Sequence, residues 1–311
     1  MQFTRRRLMR RPIAAGFASF AMLCIGCSTA PKVARPPAPV PVAAKRDSAT
    51  RPPAREWTTR RGTGTWRYRV ETSATVVLTG DSASAPIHSL AIYSLTIDTS
   101  GAGTGTTYRV AGRVDSSALA TGGQVPPRPV DSTAAAFSAE LDSAAGLTNV
   151  AMSGGQQSPC AGGVSPLVAA GLTLFVSAPS RLQQGAIWHD STATTTCRGN
   201  VAVISKLQRT FELADTATWN AQMVLRLNVT GTSTFSGQGL ASAAGDSIAI
   251  SGTGTSSGTL LLDPTSMMPV SSTMTGNSVV TVRTRQATLP FKQSLTETVT
   301  MIEHRPSPGQ P

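Results

Sequence analysis

The sequence predicts an all-β protein, a large curled antiparallel sheet or incomplete β-barrel carrying one short helix. Three observations predict it. From Glu56 onward Thr, Ser, Gly, Ala and Val dominate while Glu, Lys and Gln are scarce, a composition that suits pleated strands better than helices. Apolar and polar residues alternate with period two in one segment after another. Gly- and Pro-rich turn signals separate those segments at short intervals.

The elements follow in order. Trp66, Tyr68 and Val70 alternate with Arg67, Arg69 and Glu71. Residues Ile87 to Ile97 alternate less cleanly, as a strand covered on both faces does. Tyr108, Val110 and Gly112 oppose Arg109, Ala111 and Arg113, with turns at Gly80-Asp81 and at Gly101 to Gly105. Gly122-Gly123 and Pro126-Pro127-Arg128-Pro129 mark an exposed loop. Phe137 to Leu141 and Leu147 to Met152 read as a hairpin.

One segment has the helical period instead. Val164, Leu167, Val168, Gly171, Leu172 and Phe175 fall at i, i+3, i+4, i+7, i+8 and i+11. Ser165 can cap this helix, Pro166 suits its first turn, and Pro179 forbids continuation. The expected helix runs from Pro166 to about Ser177, its apolar face on the sheet, and is too short to span a bilayer. The later strands are expected at Val201 to Lys206, Thr210 to Leu213, Met223 to Val229, Thr232 to Leu240, Ser247 to Thr255, Thr259 to Leu262, Val270 to Met274, Val279 to Arg283 and Leu295 to Ile302. His304 to Pro311 reads as a frayed tail.

The second half echoes the first. Gly64-Thr65-Trp66 has a counterpart in Gly185-Ala186-Ile187-Trp188, Leu141-Asp142 in Leu262-Asp263, and Met152 and Gly154 in Met274 and Gly276. Two duplicated halves, about 60–155 and 180–303, are therefore expected within a single domain at 56–311.

The N-terminus has a different character. Residues 1–12 carry Arg5, Arg6, Arg7, Arg10 and Arg11 and no acid, an apolar run covers Ile13 to Ile25, and Gly26-Cys27-Ser28 follows. This is the pattern of an export signal at 1–27. Its last residues resemble the lipobox of bacterial prolipoproteins, with Cys24 where leucine is usual and Leu23 one place early. The resemblance implies lipidation of Cys27; an ordinary cleaved signal without lipid is the alternative. Thr4-Arg5-Arg6-Arg7-Leu8 also resembles a twin-arginine motif, so two export routes stay open. Ser28 to Arg55 holds seven prolines and reads as a disordered tether, reaching ~85 Å if fully extended at ~3.1 Å per residue.

The formal charge of +11 belongs to these leading segments. Residues 1–27 contribute +5. Residues 28–55 add another +5, with six basic side chains against Asp47. That leaves 16 basic and 15 acidic residues in 56–311. No basic face with interleaved aromatics exists, which excludes a nucleic-acid partner. Aromatics at 5% are too few for the two girdles of a transmembrane barrel, and the last expected strand, ending at Ile302, does not reach the chain end as a closing strand would.

Four cysteines are present, and only Cys160 and Cys197 lie in the domain. In an exported chain they are expected to pair, closing a loop around the helix and stabilising by about 3–4 kcal/mol on the chain-entropy argument. Neither has a second ligand at zinc spacing, so no metal is expected. The layout of sheet and helix is similar to that of the periplasmic lipoprotein-carrier half-barrels, in which a helix plugs a curled sheet over an apolar cavity. No motif carries individual residues across.

Catalytic signatures are missing. His88, His189 and His304 are scattered, and in His189-Asp190 neighbouring residues of a strand point to opposite faces. Gly252-Thr253-Gly254-Thr255 reads as a flexible strand end rather than a nucleotide loop. Asp246 and Asp263 read as turn formers rather than calcium ligands, and Asn228-Val229-Thr230 as strand rather than glycosylation site. The expectation is a membrane-anchored envelope lipoprotein that is not an enzyme and needs no cofactor, sorted to the outer membrane on the periplasmic or outer face. Two functions compete. One is a binding module for an apolar or lipid-like ligand, walled by Met152, Leu172, Phe175, Trp188, Met223 and Leu225. The other is a structural or assembly protein whose partner is another envelope protein.

Overall fold

The computed structural model describes residues 55–59, 61–80, 85–99, 107–121, 128–129, 135–142, 146–152, 160, 163–198, 200–240 and 247–307. The export signal, Cys27, the tether up to residue 54, the turn at 101–105 and Asp246 lie outside the described residues. The strands are β1 (Glu56–Thr58), β2 (Gly64–Leu78), β3 (Ala85–Thr99), β4 (Thr107–Thr121), β5 (Arg128–Pro129), β6 (Ala136–Asp142), β7 (Gly146–Met152), β8 (Arg181–Gln183), β9 (Ile187–Arg198), β10 (Asn200–Trp219), β11 (Gln222–Leu240), β12 (Ser247–Leu262), β13 (Pro269–Arg283) and β14 (Thr288–Pro306). The helix α1 is Pro166–Leu172.

Eleven strands form one antiparallel sheet in the order β7-β6-β4-β3-β2-β14-β13-β12-β11-β10-β9, β5 pairs off this path with β4, and β1 pairs with β8. The sheet is a curled half-barrel of two meanders. Each runs hairpin by hairpin, and the two join where β2 meets β14. Leu141-Asp142 closes β6, and Leu262 closes β12 with Asp263 just after it.

Alternation sets which face turns inward. On β11, Leu225, Leu227, Val229 and Phe235 are buried, whereas Arg226, Asn228, Thr230 and Thr234 are exposed. The β10–β11 hairpin turns on two residues, Asn220 (φ 46°) and Ala221 (φ 64°), with Trp219 opposite Gln222. Positive φ at both positions matches the right-handed twist of the flanking strands.

The strands are longer than the sequence suggests. Val201 to Lys206 and Thr210 to Leu213 belong to one strand, β10; the pairs of segments expected within 223–240, 247–262 and 270–283 are likewise single strands. The apparent breaks in β11, β12 and β13 are inward positions occupied by small residues, whereas the one in β10 holds Arg209, a charge in the inward register. Gly231, Ser256 and Gly276 face one another across adjacent strands, and Ser233, Gly254 and Ser278 form the next row. These rows interrupt the apolar pattern without interrupting the backbone ladder. Gly252-Thr253-Gly254-Thr255 therefore lies mid-strand, not at a flexible end. The expected tail at 304 begins inside β14, where His304 stacks on Trp66 at 4.8 Å.

Burial divides along the strands. One cluster gathers Trp66, Tyr68, Tyr93, Leu95, Phe137 and Leu141 around α1. A second joins Trp57, Val176, Trp188, Phe211, Leu225 and Leu262. A third, with Val203, Phe235, Ile250 and Val282, lies toward the other end of β10 to β13. The helix presses on the first cluster so closely that a Cβ at Gly171 would sit 3.1 Å from the Tyr93 ring. Ser165 caps it, its hydroxyl accepting from the Val168 N–H at 3.2 Å. It ends at Leu172, five residues short of the expected Ser177, because the following carbonyls find side-chain donors instead of helical N–H groups.

Candidate functional site: the seam between β7 and β9

The two edges of the sheet do not pair with each other. β7 is blunted by a bulge, Asn149 and Val150 intervening in its pairing with β6, with Asn149 at φ 52°. Such bulges end ladders and discourage further pairing. On the other side, the segment leading into α1 lies against β9. Val164 N–H donates to Thr195 O (2.8 Å) and Cys197 N–H to Val164 O (3.0 Å). Cys160 and Cys197 are bonded there, their Cα atoms 5.6 Å apart. Gly163 is dictated by this crossing, since a Cβ would approach the Cys197 sulfur to 2.3 Å.

Behind the helix, residues 173–177 form a strap that leaves α1 through a tight turn at Thr173 and Leu174 and packs against β10 and its neighbours. A buried carbonyl needs a donor, and three side chains supply them. Arg209 donates to Thr173 O and Phe175 O, each at 3.0 Å, while its guanidinium grips the Asp190 carboxylate at 2.9 and 2.7 Å. Arg61 donates to Val176 O at 2.7 Å and to Met267 O at 2.9 Å. Trp188 Nε1 donates to Ser177 O at 2.8 Å, its ring stacked on Phe211. Arg209 sets a cation beside Thr173, the C-cap of α1, the end of a helix that favours positive charge. Burial lowers the Arg61 pKa to about 10, and nearby Tyr108 and Tyr68 oppose that shift. Tyr93 donates to Leu167 O at 2.9 Å, and burial raises its phenol.

Between the strap and β10 to β14 lies an internal cavity of about 60 Å³, with Arg209 on one wall and Glu297 on another. Glu297 is half-buried, and no hydrogen bond reaches its carboxylate among the described residues. Burial pushes that carboxyl up to about 7, with Arg209 pulling the other way. A second space of about 370 Å³ occupies the seam itself, between residues 146–150 of β7, the helix with its strap, and residues 190–195 of β9.

The residues expected to form a ligand wall fall into three places. Leu172 and Phe175 are buried in the helix cluster and Met152 packs against it. Trp188 and Leu225 belong to the cluster beneath the strap. Met223 lines no wall. It is 40% exposed, because it sits beside the two-residue turn where the hairpin outruns the core.

His189 and Asp190 point apart. His189 Nδ1 meets Thr210 Oγ1 at 2.9 Å outside, and Asp190 meets Arg209 inside. The Asp263 carboxylate accepts from Thr265 N–H and the Ser266 hydroxyl, as a turn former does. Asn228 is exposed on β11. Among the described residues no cluster of three or more metal-ligating side chains occurs, and no helix is long and apolar enough to cross a membrane.

The sequence reading missed Arg61, Arg209 and Glu297. Two of them carried a signal. Arg209 shares the inward register of Leu207 and Phe211, and Glu297 that of Leu295 and Val299, so each is a charge set into an apolar stripe. No family model matches the chain, and no curated protein matches its sequence.

Proposed function

We propose that this chain is a lipid-anchored bacterial envelope protein that binds an apolar or lipid-like ligand and performs no catalysis. The observation that carries the reading is the unpaired seam. A barrel that closes removes both its edges. Here the edges stay apart, and a seven-residue helix with its strap occupies the mouth. A plug made of a short helix can move without breaking the strand ladders, and its withdrawal opens the interior to the apolar residues it covers. Cys27 and the proline-rich tether would hold the domain within reach of a bilayer, and Ser28 behind Cys27 favours the outer membrane.

A structural role is the second reading, and the filled interior favours it. A cavity of about 60 Å³ holds a water or two, well below the ~300 Å³ of ordinary ligand pockets. A native mass measurement on protein purified from membranes without detergent separates the two. A co-purified mass in the lipid range supports binding. Bare protein at every preparation, together with no mass shift on adding lipid, supports the structural role.

A further inference from the structure

The seam has a chemistry of its own. The side made by β7, the helix and its strap offers an apolar strip of Leu147, Val150, Val164, Ala169, Leu172 and Phe175, bordered by Thr148, Asn149, Thr173 and Ser177. The other is β9, with the hydroxyls of Ser191, Thr192, Thr194 and Thr195. Its backbone contributes as well. Thr195 O and Cys197 N–H point at Val164, and the two-residue period turns the N–H and C=O of Ser191 and Ala193 to the same side. Below Val164, those groups meet no strand partner among the described residues. Among the described residues the only charged side chain lining the slot is Asp190, already held by Arg209. A volume of about 370 Å³ lies in the range of small-ligand sites.

We infer that the slot between β7 and β9 binds a single-chain amphiphile with an uncharged, hydrogen-bonding head group. The chain lies along Leu147, Val150 and Leu172, and the head group meets the hydroxyls and free edge of β9. An anionic head would face Asp190 with no unengaged cation among the described lining residues to neutralise it. A cationic head would have to compete with Arg209 for that carboxylate. A hydroxylated or amide head satisfies the exposed backbone groups without adding charge. This assignment rests on the lipid-ligand reading and adds the place and the head-group chemistry.

Three probes with one twelve-carbon chain test it: dodecyl maltoside, dodecyl phosphate and dodecyltrimethylammonium, titrated below their micelle concentrations. The protein is the whole exported chain with Cys27→Ser, and binding is read by native mass spectrometry and calorimetry. The maltoside is expected to bind at least about tenfold more tightly than either charged probe. Val150→Trp, which fills the slot from a half-buried edge position, should weaken that binding by at least about tenfold while the thermal unfolding curve stays in place. Equal or tighter binding of the phosphate overturns the head-group assignment and leaves the lipid-ligand reading intact. Unchanged binding by Val150→Trp overturns the location. If none of the three binds, both the inference and the ligand reading fail. Should Val150→Trp unfold, Thr194→Trp on the facing edge gives the same test.

Discussion

Arg209 and Asp190 form a two-pronged ion pair inside the half-barrel, with side chains only 10% and 6% exposed. The same guanidinium holds two carbonyls of the strap, so one side chain fixes both the edge strand β9 and the chain leaving α1. Buried pairs of this kind contribute little net stability, yet losing one partner is costly because the other charge stays behind.

Arg209→Met is therefore expected to destabilise the domain by about 3–5 kcal/mol. Much of that loss should return when Asp190→Leu is added, since the double change leaves no buried charge. Urea unfolding of the two single variants and the double variant measures both. A single variant within about 1 kcal/mol of the parent would show that the pair does not hold the strap.

Glu297 makes stability depend on pH. Its folded pKa is about 7 against an ordinary 4.5, so the folded chain binds the proton more tightly than the unfolded chain. The contribution is greatest below pH 4.5, declines as pH rises from 4.5 to about 7, and is level above that. At ~1.4 kcal/mol per pKa unit the whole decline is at most about 3.5 kcal/mol. Glu297→Gln should remove it, so the difference between parent and variant stability should change across this window. Parallel curves for the two proteins would refute the assignment.

Breaking the bond between Cys160 and Cys197, which lie 37 residues apart, is expected to cost about 3–4 kcal/mol. The loss should be local. Amides of residues 163–177 should exchange faster in the reduced protein, while those of β11 to β13, outside the closed loop, keep their protection. Uniform loss of protection would mean that the bond supports the whole sheet and not the plug.

Cys27→Ser is expected to move the protein from the membrane fraction to the soluble one. Fractionation by sedimentation checks this directly. A variant that still pellets with membranes is not held there by a lipid on Cys27.

Much of the architecture was legible in the sequence, and the losses have physical causes. The all-β class, the β6–β7 hairpin, the Ser165 cap and the pairing of Cys160 with Cys197 follow from alternation, capping chemistry and cysteine number. Strand lengths did not, because Gly231, Gly254 and Gly276 face inward where an apolar residue is expected, and a ladder continues through glycine while a hydropathy pattern does not. The helix end was overrun because Phe175 keeps the helical period although Arg209 already holds its carbonyl. The seam was invisible: it depends on which two strands fail to pair, and no local signal reports that. Arg209 and Glu297 were visible in principle, as charges inside apolar stripes, but naming their partners requires strands far apart in sequence.

The central ladder joins the first long strand to the last, Gly64 opposite Pro306 and Leu78 opposite Phe291, whereas both free edges come from the middle of the chain. Every other ladder along the sheet joins strands consecutive in sequence or separated only by the short β5, so each meander can assemble as it emerges. The β2–β14 ladder must wait for the C-terminus. Until then β2 is an open edge, inviting another chain to pair with it, and closing it last over the longest loop is the slow, high-contact-order step. A truncation just before β14 would therefore not merely shorten the sheet. It would split the half-barrel into two meanders linked through the plug, the small β1–β8 pair and the contacts of Arg61, each with a sticky margin where its neighbour belongs.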